Sequence, residues 1–354
     1  MTAETIPPTA GSSAAPKSRQ PTLYDVAMLA GVSHQTVSRY LKGGSSLRPA
    51  TAERVAKALS QLNYSPNLAA RALRSREPYT IYFIVPEPSI QVPPRMLNSA
   101  KAAAQANGYR VEIVILDPYK ENRESQFHRL FSLDDVAGVL SFAPLPRSIS
   151  DRSFAQPPLV VAGDCDDNLR LPGTLVDGAP VAAIVRHLAS LGHSNFVHVA
   201  GPTDWTAARS RAAVFSQTII ELGLTSHGIE AGDWSVASGY TAGQRIAVHK
   251  HVTAVVAAND QMAIGVIRAL HDSRLKVPDD VSVIGWGDVE ESSFLVPSLS
   301  TVRMDLEALG ARSMMKLIGR TRNAPGPELP ALADSRILLR ESVGPARKRA
   351  PQVA

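Results

Sequence analysis

The stretch that decides the fold is Thr22-Leu-Tyr-Asp-Val-Ala-Met-Leu-Ala-Gly31-Val-Ser33-His34-Gln35-Thr36-Val-Ser38-Arg39-Tyr-Leu-Lys42. It reads as two short helices joined by a tight turn. Val26, Ala27 and Ala30 recur at helical spacing and give the first helix one apolar face. Gly31 follows at once, where a left-handed turn is cheap only for glycine. Ser33 stands where an N-cap belongs, its hydroxyl able to accept from the amides of the next turn. In the second helix Val37 and Leu41 share one face, and His34, Gln35, Ser38 and Arg39 share the other.

That second face carries no acid. Arginine can bridge guanine O6 and N7, and glutamine can bridge adenine N6 and N7. Helix-turn-helix proteins present the start of the second helix to the major groove, where these residues lie. The competing reading is a plain helical hairpin in a small bundle. Apolar face, glycine turn, cap and reader face together favour DNA.

Thr22–Lys42 resembles the DNA-binding head of the lactose repressor (LacI/GalR) family of bacterial transcription regulators. The similarity continues through Leu62-Asn63-Tyr64-Ser65-Pro66-Asn67-Leu68-Ala69-Ala70-Arg71-Ala72-Leu73 and, in patches, to about Val343. Gly232-Asp233-Trp234-Ser235 and Ala258-Asn259-Asp260-Gln261-Met262-Ala263 carry it further. The resemblance adds Leu23, Ser33 and Thr36 to the DNA-facing set.

Composition is compatible with this. Residues 1–76 hold 10 Lys/Arg against 3 Asp/Glu, and the remainder 27 against 29, so the net +5 is a basic head on a near-neutral body. One end is therefore expected to meet a polyanion, and nucleic acid fits better than a membrane, since no basic amphipathic helix with bulky aromatics is present. The chain is 44% hydrophobic, with no apolar run long enough to span a bilayer. Met1–Gln20 lacks the order of a secretory signal. The single cysteine, Cys165, excludes an internal disulfide and suits a reducing, cytoplasmic setting.

Residues 1–20 read as a disordered tail. The head spans 21–64, with a loop at Gly43–Leu47, Pro49 opening a third helix, and Val55, Ala56, Leu59 and Leu62 closing its core. Arg48 stands where the family has a capping hydroxyl. Residues 65–78 read as a linker, with Asn67 as N-cap of a segment too short to hold helix alone. The resemblance implies that two copies pair there as hinge helices on DNA, with Leu73 wedged into the minor groove. On residues alone a plain tether is as good a reading.

Residues 79–343 alternate apolar β-rich runs (Ile81–Val85, Val111–Leu116, Gly138–Phe142, Leu159–Val161, Phe196–Ala200, Ala254–Ala258, Val281–Ile284) with helical patterns (Arg95–Asn107, Val181–Leu191, Thr206–Leu222, Gln261–Leu270). This predicts an α/β fold of parallel sheets covered on both faces. The resemblance implies two such lobes, as in periplasmic binding proteins, at 79–176 plus 305–334 and 177–303 plus 335–343. Residues 344–354 read as a disordered basic, Pro-containing tail without a leucine heptad, and a homodimer is expected.

Ligands of open α/β sheets sit beyond the carboxyl ends of strands. Asn259 and Asp260, Asp204 and Trp205, Trp286 and Asp288 fall there, with Arg209 one turn into a helix and Trp234 closing Gly-Asp-Trp. Flat apolar faces beside polar groups suit a sugar, which has a C–H face and a hydroxyl rim. The resemblance assigns Arg209, Trp234 and Asn259 to the effector, and Asp164, Trp205, Trp286 and Asp288 complete the expected set. Asp260 reads as a helix cap, and Arg211 as a core or salt-bridge residue. The family often has Asp where Gly163 stands, its namesake has Asp at Gly287, and glutamine occurs at Met304. These departures point to a larger, less hydroxylated or differently oriented glycoside.

No dinucleotide or phosphate loop, and no nucleophile elbow, follows any strand. His249 and His251 are spaced i,i+2 and predict no metal site; the acids beside Cys165 predict an unreactive thiol. No cofactor or metal is expected. The sequence thus supports a sugar-responsive repressor of a palindromic operator, with a periplasmic-type sugar-binding protein and an α/β sugar enzyme as alternatives.

Overall fold

The computed structural model describes residues 21–41, 48–62, 79–86, 92–116, 123–143, 145, 149, 157–162, 177–322 and 329–347. The 1–20 tail, the Gly43–Leu47 loop, the linker with Asn67 and Leu73, and Asp164 and Cys165 lie outside the described residues. So does 348–354. The chain divides into two compact units, Met1–Arg74 and Ser75–Ala354.

The first unit contains three helices, α1 (Leu23–Ala30), α2 (His34–Leu41) and α3 (Pro49–Gln61). Thr22 and Asp25 form a reciprocal capping box that starts α1. Gly31 ends α1 at φ 62°, and the chain turns directly into α2. Val26, Ala27, Ala30, Val37, Val55 and Ala58 make the small core, edged by Leu23, Val32, Tyr40, Leu59 and Leu62. Ala58, not Ala56, is the inward alanine of α3, and Ala56 is exposed. No side-chain hydrogen bond from Arg48 caps α3; Pro49 at its first position presets the helical φ instead.

The second unit is built on two parallel sheets. In the first lobe β1 (Thr80–Pro86), β2 (Arg110–Leu116), β3 (Val136–Ser141) and β4 (Leu159–Val161) lie in the order β2-β1-β3-β4. Helices α4 (Pro94–Ala106) and α5 (Arg123–Phe131) belong to this lobe. In the second lobe β5 (Asn195–Ala200), β6 (Thr225–Ala231), β7 (Ala254–Ala257) and β8 (Ser282–Ile284) lie in the order β6-β5-β7-β8. It is covered by α6 (Ala179–Ser190), α7 (Thr206–Glu221), α8 (Val236–Ala247) and α9 (Asp260–Asp272).

Two short antiparallel strands, β9 (Thr301–Arg303) and β10 (Arg336–Leu338), then pair. Between them α10 (Leu306–Thr321) returns to the first lobe, burying Leu309, Leu317 and Ile318 in a core shared with α4 and β3. One apolar cluster runs from Ile81 and Phe83 through Met304 to Ile184, Phe196 and Phe215, so both lobes share a core at their junction. In each sheet the strand order reverses between the first strand and its two neighbours. The switch point opens a crevice beyond the carboxyl ends, and the loops after β5 and β7 flank it in the second lobe.

Candidate DNA-reading face and ligand cleft

On α2 the reader face is presented to solvent. His34, Gln35 and Arg39 are exposed and Ser38 is half-buried. Ser33 caps the helix, its Oγ accepting from the Thr36 amide at 3.2 Å and lying 2.9 Å from the Thr36 hydroxyl. The His34 ring packs on Tyr24, with centroids 5.2 Å apart. Leu23 is half-buried on the head's core. Val37 anchors the opposite face of α2 with no exposure at all, which leaves the polar face outward.

In the core, three tryptophans and one arginine gather at the strand ends of the second lobe. Trp205 and Trp234 meet edge to face with centroids 5.9 Å apart. The Arg211 guanidinium lies 4.1 Å from the Trp286 ring centroid and 6.0 Å from that of Trp234, both within cation–π reach. Arg211 also donates to the Ala258 carbonyl at 2.6 Å. Trp286 donates through Nε1 to the Met304 sulfur at 3.0 Å, so its edge and face are both held.

Trp234 sits at φ 73°, an uncommon conformation for a bulky residue and one that concentrates at functional sites. Its neighbours enforce it. Asp233 Oδ1 accepts from the Ser235 amide at 2.9 Å, and Asn259 Nδ2 donates to the Trp234 carbonyl at 2.8 Å. Gly201 makes room for the indole, since a Cβ there would lie 2.4 Å from two of its ring atoms. The Trp234 Nε1–H is buried and meets no acceptor among the described residues.

Several expected ligand contacts also carry hydrogen bonds within the protein. Arg209 is exposed and folds back on its own turn, donating to the Thr203 carbonyl at 2.6 Å and the Thr206 hydroxyl at 3.1 Å. Two turns of the buried stripe of α7 select Arg211 as the inward arginine instead. Arg211 is therefore a residue of the tryptophan cluster, and not only a core or salt-bridge group. Asn259 caps α9, its Oδ1 accepting from the Met262 amide at 2.9 Å. That cap had been expected of Asp260. Asp260 is fully buried instead and accepts from Thr301 Oγ1 at 2.6 Å, the Val289 amide at 2.9 Å and Ser292 Oγ at 3.1 Å. Burial pushes its carboxyl pKa up, against those hydrogen bonds.

Asp288 is occupied as well. Its carboxylate pairs with Arg340 at 2.7 Å and Arg303 at 3.5 Å, and its side chain is 8% exposed. Arg303 ends β9 and Arg340 lies just beyond β10, so the expected ligand carboxylate fastens this strand pair to the Trp286 loop.

Sequence reasoning left Arg211 out of the cluster, and read Met304 only as a departure from the family, although its sulfur accepts from Trp286. Next to β6, His249 and His251 both lie against His227, at 6.3 and 6.5 Å between ring centroids, although their spacing predicts different faces. They follow the end of α8, where helical phase no longer applies. Among the described residues no group of three His, Cys, Asp or Glu is arranged to hold a metal ion, and no helix is long and apolar enough to cross a membrane.

Residues 22–67 match the bacterial regulatory proteins of the lacI family, and residues 185–343 match the periplasmic binding protein-like domain. The lactose operon repressor of Escherichia coli (strain K12) is 31% identical over 310 residues, 84% of each chain. The lac repressor dimer bound to operator and the anti-inducer ONPF superposes with TM-score 0.62 at 28% identity, over 92% of this chain and 100% of that one. The complex of the transcriptional regulator CelR with cellobiose superposes with TM-score 0.63 at 26% identity, over 91% and 99%. With both halves matched and this identity sustained along the chain, the protein belongs to the lacI family of bacterial regulatory proteins.

Proposed function

We propose that this protein is a sugar-responsive transcriptional repressor, which binds a palindromic operator as a homodimer and leaves it when a sugar or glycoside occupies the cleft. One observation carries the reading. A single chain joins an outward, acid-free reader helix to a two-lobed core with an aromatic, arginine-lined wall at its strand ends. A sugar carrier or a sugar enzyme has no use for that helix. The relatives are DNA-binding regulators, and the protein acts in the cytoplasm where its operator is.

His34, Gln35, Ser38 and Arg39 read bases, with Leu23, Ser33 and Thr36 placing the helix on the backbone. Trp234, Trp205, Trp286 and Arg211 form the ligand wall, with Asn259 and Asp288 holding its loops. Asp164, outside the described residues, is kept as a candidate ligand contact. The linker, from Asn67 to Leu73, pairs with its copy when operator is bound, and a ligand favours a lobe arrangement in which that pairing fails.

The test is binding to the DNA upstream of the chain's own gene, by gel shift, against a panel of mono- and disaccharides and aryl glycosides. A specific complex dissolved by one of them is expected. Absence of any preference for that DNA over random sequence overturns the regulator reading. A complex that every sugar leaves intact overturns the sugar response.

A further inference from the structure

Arg95 does something that neither the reader helix nor the tryptophan wall requires. It sits in the first turn of α4, in the first lobe, and its guanidinium crosses to the second. Nη2 donates to the carbonyls of Gly287 at 2.9 Å and Asp288 at 3.1 Å, while Nη1 faces Glu307 of α10 at 3.6 Å. One nitrogen spans two successive carbonyls while the other turns to a carboxylate, a division that the flat guanidinium provides and a single ammonium does not.

The receiving loop is shaped for it. Gly287 lies at φ 128° and Asp288 at φ 52°, so both peptides stand in conformations that ordinary residues avoid. The Gly287 amide donates to the Val302 carbonyl at 2.9 Å and the Asp288 amide to Thr301 Oγ1 at 3.2 Å. The Asp288 carboxylate is gripped by Arg340 and Arg303. The loop is thus tied to the crossing strands from one side and to the first lobe, through Arg95, from the other. Trp286, the residue before it, touches Arg211.

We infer that Arg95 is an interlobe latch: it couples the ligand wall at Trp286 to the arrangement of the two lobes, and so sets how readily ligand alters operator binding. This rests on the proposed repressor function. Movement of the Trp286 loop must either carry α4 with it or break these two hydrogen bonds. Arg95 is a positioning residue and contacts no ligand itself.

The experiment uses the full-length protein and three variants, Arg95→Ala, Arg95→Lys and Arg322→Ala. Arg322 donates to the Asn107 carbonyl within the first lobe only, and controls for the loss of an arginine. Amide exchange is followed at 285–289 and 94–99, and affinity for the upstream DNA is measured without sugar. Losing a charged, partly buried hydrogen bond predicts exchange at both segments about tenfold faster in Arg95→Ala, with a smaller effect in Arg95→Lys and none in Arg322→Ala. Operator affinity in Arg95→Ala is expected to shift by about threefold or more, since lobe arrangement and DNA binding share one equilibrium.

Unchanged exchange at 285–289 in Arg95→Ala overturns the latch. Faster exchange with unaltered operator affinity overturns the coupling, leaving a local tie. Equal effects from Arg322→Ala overturn it too, since general destabilisation then suffices. If the unaltered protein shows no specific DNA binding, the repressor reading fails, and the exchange comparison still decides whether Arg95 joins the lobes.

Discussion

His198 predicts how this protein responds to acid. It lies on β5 with no exposure, stacked on Phe215 of α7 at 5.1 Å between centroids. Its Nδ1 is 2.8 Å from the Val256 carbonyl, which can only accept, so Nδ1 carries the proton of the neutral ring. Nε2 is buried and has no partner among the described residues. Protonating it would place a second charge near Arg211 and leave an N–H without an acceptor. Burial first, and Arg211 after it, hold the pKa at about 4 rather than the ordinary 6.5. The unfolded chain therefore binds more protons than the folded one between these values, and stability must fall as pH drops from 6.5 towards 4. The full gap is worth about 3 kcal/mol, of which about 2 kcal/mol is lost by pH 5. The perturbation is His198→Leu, which keeps an apolar contact on Phe215 and cannot titrate. Urea unfolding of both proteins from pH 8 to pH 4.5 gives the comparison. The curves are expected to converge or cross on acidification, the unaltered protein losing about 2 kcal/mol more by pH 5. His193, whose pKa burial also lowers, is common to both and cancels. Parallel pH profiles would refute the reasoning.

Three further outcomes follow from the described contacts. Asp260→Ala strands the Val289 amide and the Ser292 and Thr301 hydroxyls, and should destabilise the core by about 3–5 kcal/mol in urea unfolding at pH 7. Gly201→Ala places a methyl 2.4 Å from Trp234 ring atoms, so it should blunt or abolish the sugar response in gel shifts while operator binding without sugar persists. Arg39→Ala should cost about 1–3 kcal/mol at the specific site and relax preference at one base pair, read by competition with single-base operator variants. Equal weakening on specific and random DNA would make Arg39 a phosphate contact.

The elements that could be read in advance are those whose burial is one-sided or complete. Val26, Ala27 and Ala30 mark the inner face of α1, and the buried runs of β1, β3 and β7 are largely apolar, as is β5 apart from His198. The strand β6 escaped because it is an edge: Thr-Ser-His-Gly-Ile-Glu-Ala is mostly exposed, and nothing in it needs to be apolar. The crossing strands β9 and β10, three residues each, are too short to show a period. In α3 the alanines at 56 and 58 differ by 200° of helical phase, and composition alone did not choose between them. Only Ala58 keeps step with Val55 on the buried side.

The same phase argument picks out the arginine of the tryptophan cluster. In α7 the buried residues are Ala207, Ala208, Arg211, Phe215, Thr218 and Ile219. Arg211 is three residues after Ala208 and four before Phe215, squarely on the apolar stripe, whereas Arg209 is off it. An arginine on an apolar stripe is costly unless its charge has a task or a partner. Here it stacks on Trp286 and donates to Ala258, both at strand ends. The resemblance assigns the effector to Arg209 and the core to Arg211, two arginines only two positions apart in Ala-Arg-Ser-Arg. Burial periodicity separates them. Asn259 and Asp288 teach the complementary lesson. Their positions at strand ends were legible, but their hydrogen-bonding capacity is spent on a helix cap and two arginines, which sequence spacing does not reveal. In the structure the tryptophans and Arg211 cluster at these strand ends, and Asn259 and Asp288 hold the loops beside them.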